Sequence, residues 1–482
     1  MQRHNFGGNI QLNPKTTYMP ATEQEVLEIL DRHHGQRIRC VGRLHSWSRA
    51  VECNDVLLDL RHFNQVNLIA DGEELSVSVG AGCQIKHLLS DLERQKNWTL
   101  PSLGLITEQT IAGAVSTGTH GSGRNSLSHY VVSVRIAHYD SATSKAIVTE
   151  ISSGDALRAA RCSLGCLGVI LSVKMLCRPS YNVEEAWHEY EQLAEVIDAE
   201  DRYPLQQFFL VPWRWTYMCQ FRRETDRPKS RTSWLYHWYR YLTIDVLMLL
   251  VVFLVVRVLR INAIIRLMFR RVIPAFVIRD WHVVSPSSRQ LVMENELFRH
   301  IELELFVQKA NLESAMLFVR QTLCVAAGTD NSIAESFRER LVHTGLEKEL
   351  NQVSGTYCHH FPICVRKVFQ DDTLISMASP ADLASQEESP EAWYAITFTS
   401  FSGSSDQDAF DKLGSFLTRS MAAMFAARPH WGKLGYLQPH KLRALYPQFE
   451  VFQQVCQTYD PDGHFQNDWT NELLRNHRPH QK

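Results

Sequence analysis

The chain has 482 residues, 45% of them hydrophobic and 21% charged, with 50 basic against 52 acidic side chains. That length leaves room for two or three domains with cores of their own, and the composition argues against a disordered chain. The near-neutral balance gives no general attraction for a polyanion, so nucleic acid is not an expected partner. The 11 cysteines are odd in number and show neither a CxxC pair nor zinc-ligand spacing. They are expected to be reduced, mostly buried thiols, with no metal bound. The opening MQRHNFGGNIQLNP lacks the apolar stretch of a secretory signal.

The first 180 residues alternate between strand and helix patterns. EQEVLEILDRH (23–33) spaces its apolar residues as a helix does, with Thr22 as N-cap. RIRCVG (37–42), VLLDL (56–60) and LSVSVGAG (75–82) read as strands closed by turns, and QIKHLLSDLERQ (84–95) returns to helix. Near Ser180 the character changes. PLQQFFLVPWRWTYMCQFR (204–222) is rich in β-formers, HIELELFV (300–307) alternates as a half-exposed strand does, and LESAMLFVRQTL (312–323) is helical. The stretch from Tyr446 to Leu474 reads as helix, turn, helix.

One segment stands apart: VLMLLVVFLVV (246–256) follows the aromatic run WLYHWYRYL (234–242) and precedes Arg257, Arg260, Arg266, Arg270 and Arg271. Eleven residues make ~16 Å of helix, short of the ~30 Å hydrocarbon layer. Extending the run would place Asp245 and three arginines in the bilayer, which is costly. An interfacial element over 234–271, with aromatics at the boundary and arginines on anionic headgroups, is the expectation. A buried core helix is the alternative.

Two stretches carry the chemistry. RCVGRLHSWS (39–48) leads a strand into a tight glycine turn whose amides suit a pyrophosphate. LPSLGLITEQTIAGAVSTGTHGSG (100–123) intersperses five glycines with hydroxyl residues, letting backbone approach a large flat ligand. CSLGCLGVILSV (162–173) adds two glycines before a strand. The only near match to a dinucleotide fingerprint, at Gly80 and Gly82, lacks its third glycine, so a mobile nicotinamide cofactor has no support.

GRLHSWS, SLGLITEQTIAGAVSTGTH and ARCSLGCLGVILSV resemble the FAD-domain motifs of the vanillyl-alcohol-oxidase superfamily, more narrowly the aldonolactone oxidases and alditol oxidases. HNFGGN (4–9), AARPHWGKLGYLQPHKLRALYP (426–447) and YDPDGHFQN (459–467) resemble the same family's opening and closing motifs. The resemblance implies an α+β fold: a two-subdomain FAD-binding domain (1–180), an α+β cap domain (181–425) containing the apolar segment 234–271, and a C-terminal segment (426–482) completing the active site. It implies covalent FAD through His45. The pyrophosphate would lie on Val41, Gly42, Arg43, Leu44, His45 and Ser46, and on Ser116, Thr117, Gly118 and Thr119. Gln109, Gly113 and His120 would be further FAD contacts, and Gly165, Gly168 and Ile170 would flank its isoalloxazine or adenine end.

Gly104 falls at the family's gate position, where a glycine leaves space for O2 and favours an oxidase. Hydride transfer from an alcohol builds negative charge that fixed cations stabilise. The resemblance assigns these to Arg366 and Lys433. It also implies substrate contacts at Thr397, Thr399 and His430. The family's Glu two residues before the arginine is Cys364 here, and Glu302 or Glu304 could supply a carboxylate instead. The expected function is oxidation of an aldonolactone, sugar or polyol CH–OH, with O2 as acceptor and hydrogen peroxide as product, at an internal or cytoplasmic membrane. A quinone- or cytochrome-linked dehydrogenase and a non-catalytic flavin-binding membrane protein remain as alternatives.

Overall fold

The computed structural model describes residues 3–72, 74–293, 299–381, 392–403 and 406–475. Thr22 caps the helix Glu23–Arg32 by accepting from the Glu25 amide at 3.2 Å, and Val26, Ile29 and Leu30 form its buried face. The strands Thr16–Tyr18, Val56–Asp59 and Ile38–Val41 pair as a parallel sheet in that order. Beside it, Ala146–Ile151, Val131–Tyr139, Val169–Leu176, Glu74–Gly80 and Val66–Asp71 form an antiparallel sheet. One continuous core joins these layers and also takes Leu442, Phe449, Phe452, Cys456 and Leu473 from the C-terminal helices. The end of the chain therefore closes the core that its beginning starts.

A second core lies on an eight-stranded antiparallel sheet. Its order is Val283–Pro286, Asn182–Tyr190, Thr216–Thr225, Gln207–Val211, Ile363–Phe369, Ala392–Phe401, His300–Gln308 and Arg428–Pro429. The helices Leu312–Ala326 and Gln407–Phe425 pack Phe318, Phe416 and Met421 against Leu303, Leu305, Val365 and Ile396. Sequence alternation predicts a half-exposed strand at HIELELFV, but both faces are covered: Glu304 is 2% exposed. The apolar residues face the helices, and the acidic ones face an internal cavity rather than bulk water.

The apolar segment is one helix, Ser233–Leu259, of 27 residues, longer than the eleven-residue run because the aromatic stretch continues it. By length and composition it could cross a membrane. Its Val252, Val255 and Val256 pack with Phe361, Phe401 and, from the helical stretch 262–275 that follows, Ile265, Phe269 and Ile273. The chain reverses at Arg260, which takes a left-handed φ of 53°. Its outer face leaves Trp234, Trp238, Leu242, Leu250, Phe253, Leu254 and Val258 exposed.

Candidate active site

The two cores meet around a cavity of about 370 Å³. Strand Ile38–Val41 feeds its first wall through a turn in which Leu44 is left-handed (φ 58°). A Cβ on Gly42 would lie 2.1 Å from Thr110 Oγ1, so glycine lets the turn sit directly on the following loop. The N-terminal segment clamps this turn from outside. Asn5 Nδ2 donates to Ser46 O at 2.8 Å, Asn9 Nδ2 to Trp47 O at 2.9 Å, and Phe6 stacks on the His45 ring at 5.0 Å. From the C-terminal side, the Trp47 amide donates to Gly432 O at 2.8 Å and Ser46 Oγ to the same oxygen at 3.2 Å.

Burial lowers the His45 pKa to about 4, Glu108 opposing this and Arg43, Lys433 and His300 adding to it. The ring is therefore neutral at ordinary pH.

The opposite wall is the inner face of the eight-stranded sheet. Register places Glu304 opposite Thr397 and Thr397 opposite Cys364, three neighbouring strands in a row. Thr397 Oγ1 donates to Glu304 Oε1 at 2.9 Å, and His120 Nε2 lies 3.3 Å from the same oxygen. Burial pushes the Glu304 carboxyl up, but His120, His430 and Lys433 together hold it well below the usual carboxylate range. Lys433 pairs with Glu302, whose other oxygen is 3.4 Å from His300 Nε2. Burial likewise opposes ionisation of Glu302, and Lys433 and His300 outweigh it. Arg366 Nε donates to Gln207 Oε1 at 3.0 Å, and Cys364, Glu304 and Glu302 outweigh the burial that disfavours its cation.

Among the described residues, one cluster has metal-ligating spacing: His120, Glu304 and His430. Its members are engaged by Gly121 O (3.0 Å), Thr397 and the Gly432 amide (2.9 Å) respectively.

Nearly all the residues singled out in the sequence line this one cavity. They are Val41 to Ser46, Gly104, Gln109, Gly113, Ser116, Thr117, Thr119, His120, Gly165, Gly168, Ile170, Glu304, Arg366, Thr397, His430 and Lys433. Gly118 and Thr399 do not. Gly118 makes a left-handed turn (φ 72°), and a Cβ there would meet Met377 Cε at 3.0 Å rather than the cavity. Thr399 sits two residues beyond Thr397 and is not part of the lining, although its register partner Glu302 is. The sequence reading missed Arg39 and Phe465. Arg39 is 6% exposed and donates to the carbonyls of Ala50, Leu164, Gly165 and Phe465, fixing the far end of the cavity. A basic residue inside an otherwise apolar strand was the available signal.

The lining fits an FAD. Glycines allow close approach: a Cβ on Gly104 would meet Thr119 Cγ2 at 2.8 Å. Hydroxyls of Ser46, Ser116, Thr117 and Thr119 lie along the walls, and a neutral imidazole stands at the turn.

Residues 173–473 match the D-arabinono-1,4-lactone oxidase family, and residues 14–144 match an FAD-binding domain. The chain belongs to the D-arabinono-1,4-lactone oxidase family. It is thus an FAD-dependent oxidoreductase from a family acting on CH–OH donors. A protein named long-chain alcohol oxidase, from an uncultured marine euryarchaeote, is 53% identical over 98% of this chain and 97% of its own length. An L-gulono-1,4-lactone dehydrogenase from Mycobacterium tuberculosis is 26% identical over 98% of each chain. The structure of cholesterol oxidase from B. sterolicum superposes with a TM-score of 0.72 at 15% identity, covering 98% of this chain and 96% of that one. It shares the FAD-binding oxidase fold.

Burial lowers His430 to about 3, with Glu304 and Glu302 opposing and His120 and Lys433 adding to the effect. His45 and His430 thus both titrate below their ordinary 6.5. The unfolded chain binds more protons than the folded one between pH 6.5 and about 4, so stability falls as pH is lowered through that window. Each such histidine contributes at most about 1.4 kcal/mol per pH unit. Thermal unfolding followed across this window should show the decline. It should be shallower in His430→Asn, whose side-chain oxygen still accepts from Gly432; an unchanged slope would remove His430 as a source.

Proposed function

We propose that the chain carries FAD joined covalently through His45 and oxidises the CH–OH group of a long-chain alcohol, with O2 as acceptor and hydrogen peroxide as product. The observation that carries this reading is the placement of Arg366, Lys433, Glu302 and Glu304 at one end of the cavity whose other walls are the FAD motifs. When bound, FAD supplies the hydride acceptor and returns the electrons to O2. The turn Val41–Ser46, with Ser116, Thr117 and Thr119, would hold its pyrophosphate, and Gly165, Gly168 and Ile170 would flank its rings. Arg366 and Lys433 supply fixed positive charge among largely buried side chains, where such charge acts strongly on developing anions.

Two features favour a long-chain alcohol over the sugar or polyol that the motifs suggest. The 53% identical relative is named for that substrate. The polar groups at the reactive end are also largely spent on one another: Thr397 on Glu304, Lys433 on Glu302, Arg366 Nε on Gln207. A polyhydroxylated ring needs a partner for each buried hydroxyl, whereas a single terminal alcohol needs one or two. Cys364, buried where the family motif has a carboxylate, removes another partner. The family match and the 26% identical lactone dehydrogenase keep a lactone as the second reading.

The helix Ser233–Leu259 fits a lipid surface. Its exposed face is apolar, and Arg260, Arg270 and Arg271 stand exposed beside it, a combination suited to an anionic membrane. The three domains expected from the resemblance serve this arrangement: FAD on 1–180, substrate on 181–425, and a closing segment at 426–482.

Anaerobic mixing with a panel of long-chain alcohols, polyols and aldonolactones is the direct test, and long-chain alcohols should bleach the flavin fastest. Bleaching by lactones alone would replace the substrate, and bleaching with no later O2 consumption would make the enzyme a dehydrogenase. Arg366→Lys should slow the reduction step by about 100-fold. Acid-precipitated wild type should stay yellow while His45→Ala gives a colourless pellet; a colourless wild-type pellet would rule out the covalent link. Leu250→Asp with Phe253→Asp should abolish co-flotation with vesicles containing phosphatidylserine, and undiminished flotation would rule out this face as the anchor.

A further inference from the structure

A long-chain alcohol needs a place for its tail as well as for its hydroxyl. We propose that the tail lies on an apolar strip of the eight-stranded sheet, from Cys364 through Phe209 to Met218, and that it enters beside the helix Ser233–Leu259. The proposal rests on the long-chain-alcohol reading above.

Strand register lays out the strip. Glu304, Thr397, Cys364, Phe209, Met218 and Glu189 stand opposite one another on six neighbouring strands. Directly paired residues point to the same face of a sheet, so all six share the face that Glu304 and Thr397 present to the cavity. Their neighbours in sequence, Leu303, Ile396, Val365, Phe208 and Cys219, go to the helix-covered side. The row is polar at both ends and apolar between. At one end, Glu304 and Thr397 stand among the reactive groups. At the other, Glu189 is held by Arg214 and Arg279 and accepts from Thr216 Oγ1 at 2.6 Å. A thiol at Cys364, rather than a carboxylate, keeps the middle of the row free of charge.

The apolar part has a floor and an open side. Trp187, Val211 and Met218 form the buried floor, and Phe209 stacks on Trp187 at 5.8 Å. Phe209 and Val277 are the half-buried members of this cluster, so it meets its surroundings along them. Both sides of that opening are tied to the long helix. Trp187 Nε1 donates to the Tyr236 oxygen at 3.0 Å. The Tyr239 hydroxyl donates to Phe276 O at 2.6 Å and accepts the Ile278 amide at 2.8 Å, which clamps Val277 between them. Ile278 is exposed, as are Arg270 and Arg279, and Arg214 joins this rim by donating to Arg270 O at 3.2 Å. The strip therefore starts at the reactive groups and opens beside the apolar outer face of the helix.

Its dimensions set a chain length. Neighbouring strands lie ~4.8 Å apart, so the three steps from Thr397 to Met218 cover roughly 14 Å. An extended alkyl chain advances about 1.25 Å per bond, given a bond of ~1.52 Å and an angle of ~111°, so the strip takes about eleven bonds. Dodecanol matches that length. A sugar lactone laid here would bury hydroxyls against Phe209 and Met218 without partners.

The test uses holoenzyme and two readouts. The first is the second-order rate of anaerobic flavin reduction by primary alcohols from butanol to hexadecanol. The rate should rise about 4-fold per methylene and level off near dodecanol. Phe209→Asp should lower the dodecanol-to-butanol ratio by about 10-fold or more, because a carboxylate meets the tail. Phe209→Leu should keep the ratio. Each ratio is taken within one protein, so incomplete flavin loading cancels. An unchanged ratio in Phe209→Asp would overturn the proposal. The second readout needs no turnover: dodecanol carrying a diazirine near its methyl end is photolysed on the wild type and mapped by peptide mass spectrometry. Label should fall on 207–218 and 276–278 and be displaced by excess dodecanol. Label confined to the exposed face of the helix, or not displaced, would reject the strip. If Phe209→Asp gives no flavin-loaded protein, the photolabel decides. If no alcohol bleaches the flavin, the substrate reading falls, and the photolabel alone decides whether an alkyl chain lies here.

Discussion

The site depends on a bolt between two turns from opposite ends of the chain. The His45 turn hangs from the Gly42 bend, and the Trp431–Lys433 turn hangs from the edge strand Arg428–Pro429; Gly432 O receives both the Trp47 amide and Ser46 Oγ. Trp47 also donates its indole N–H to His300 O at 2.7 Å, reaching the acidic strand itself. These contacts fix the distance between the His45 turn and the turn that carries Lys433. The second turn also closes on itself, the Lys433 amide donating to His430 O at 3.0 Å and the Gly432 amide to His430 Nδ1 at 2.9 Å. Leu44 is left-handed without being glycine, a conformation that costs energy and persists where neighbours over-determine it. Phe6, Asn5 and Asn9 supply that surround.

The C-terminal arm is held by its own deep anchor. Arg428, 1% exposed, lies 4.4 Å from the Trp393 ring centre and 4.7 Å from that of Tyr446, and donates to the carbonyls of Met377, Ser379, Pro380 and Leu445. Burial lowers its pKa to about 10, leaving it a cation at ordinary pH that saturates backbone oxygens rather than a carboxylate. Two residues later comes His430, and three further on Lys433. A charge that takes no part in the chemistry thus sets the starting point for two groups that face the cavity.

Much of this was legible because the chemistry of FAD binding is local. A glycine bend, a histidine and a run of small hydroxyl residues follow one another within single loops, so GRLHSWS and AGAVSTGTH announce their use without knowledge of the fold. The sheet wall was harder to read. Alternation in HIELELFV reports two different faces but not that the polar one lines a cavity, and so it suggests exposure where there is burial. That Glu304 shares a row with Cys364 follows from strand register across Thr397, which joins positions more than fifty residues apart. Gly118 was drawn in by its neighbours: a glycine within a binding loop can serve the turn alone. For the apolar segment, counting uninterrupted apolar residues undercut the helix because Asp245 and Thr243 interrupt the run but not the backbone.

That helix is not a free appendage. In its first turn Tyr236 donates to Glu185, which also accepts from Arg222 Nε at 2.7 Å, while Trp187 Nε1 donates to the Tyr236 oxygen at 3.0 Å. Burial opposes the Glu185 charge, but Arg222, Arg240 and Tyr236 lower its pKa to about 2. Arg222 donates to Gln290 O and Arg240 to Val292 O, and the next amide, Met293, donates to Leu105 O beside Gly104. A buried ionic network of this kind is costly to break, since removing one partner strands the other's charge. The outer face of the helix is apolar, while its inner root is joined through a few hydrogen bonds to the segment that brings Gly104 and Leu105 to the cavity. The root of the helix and this wall of the cavity are therefore held together as one hydrogen-bonded unit.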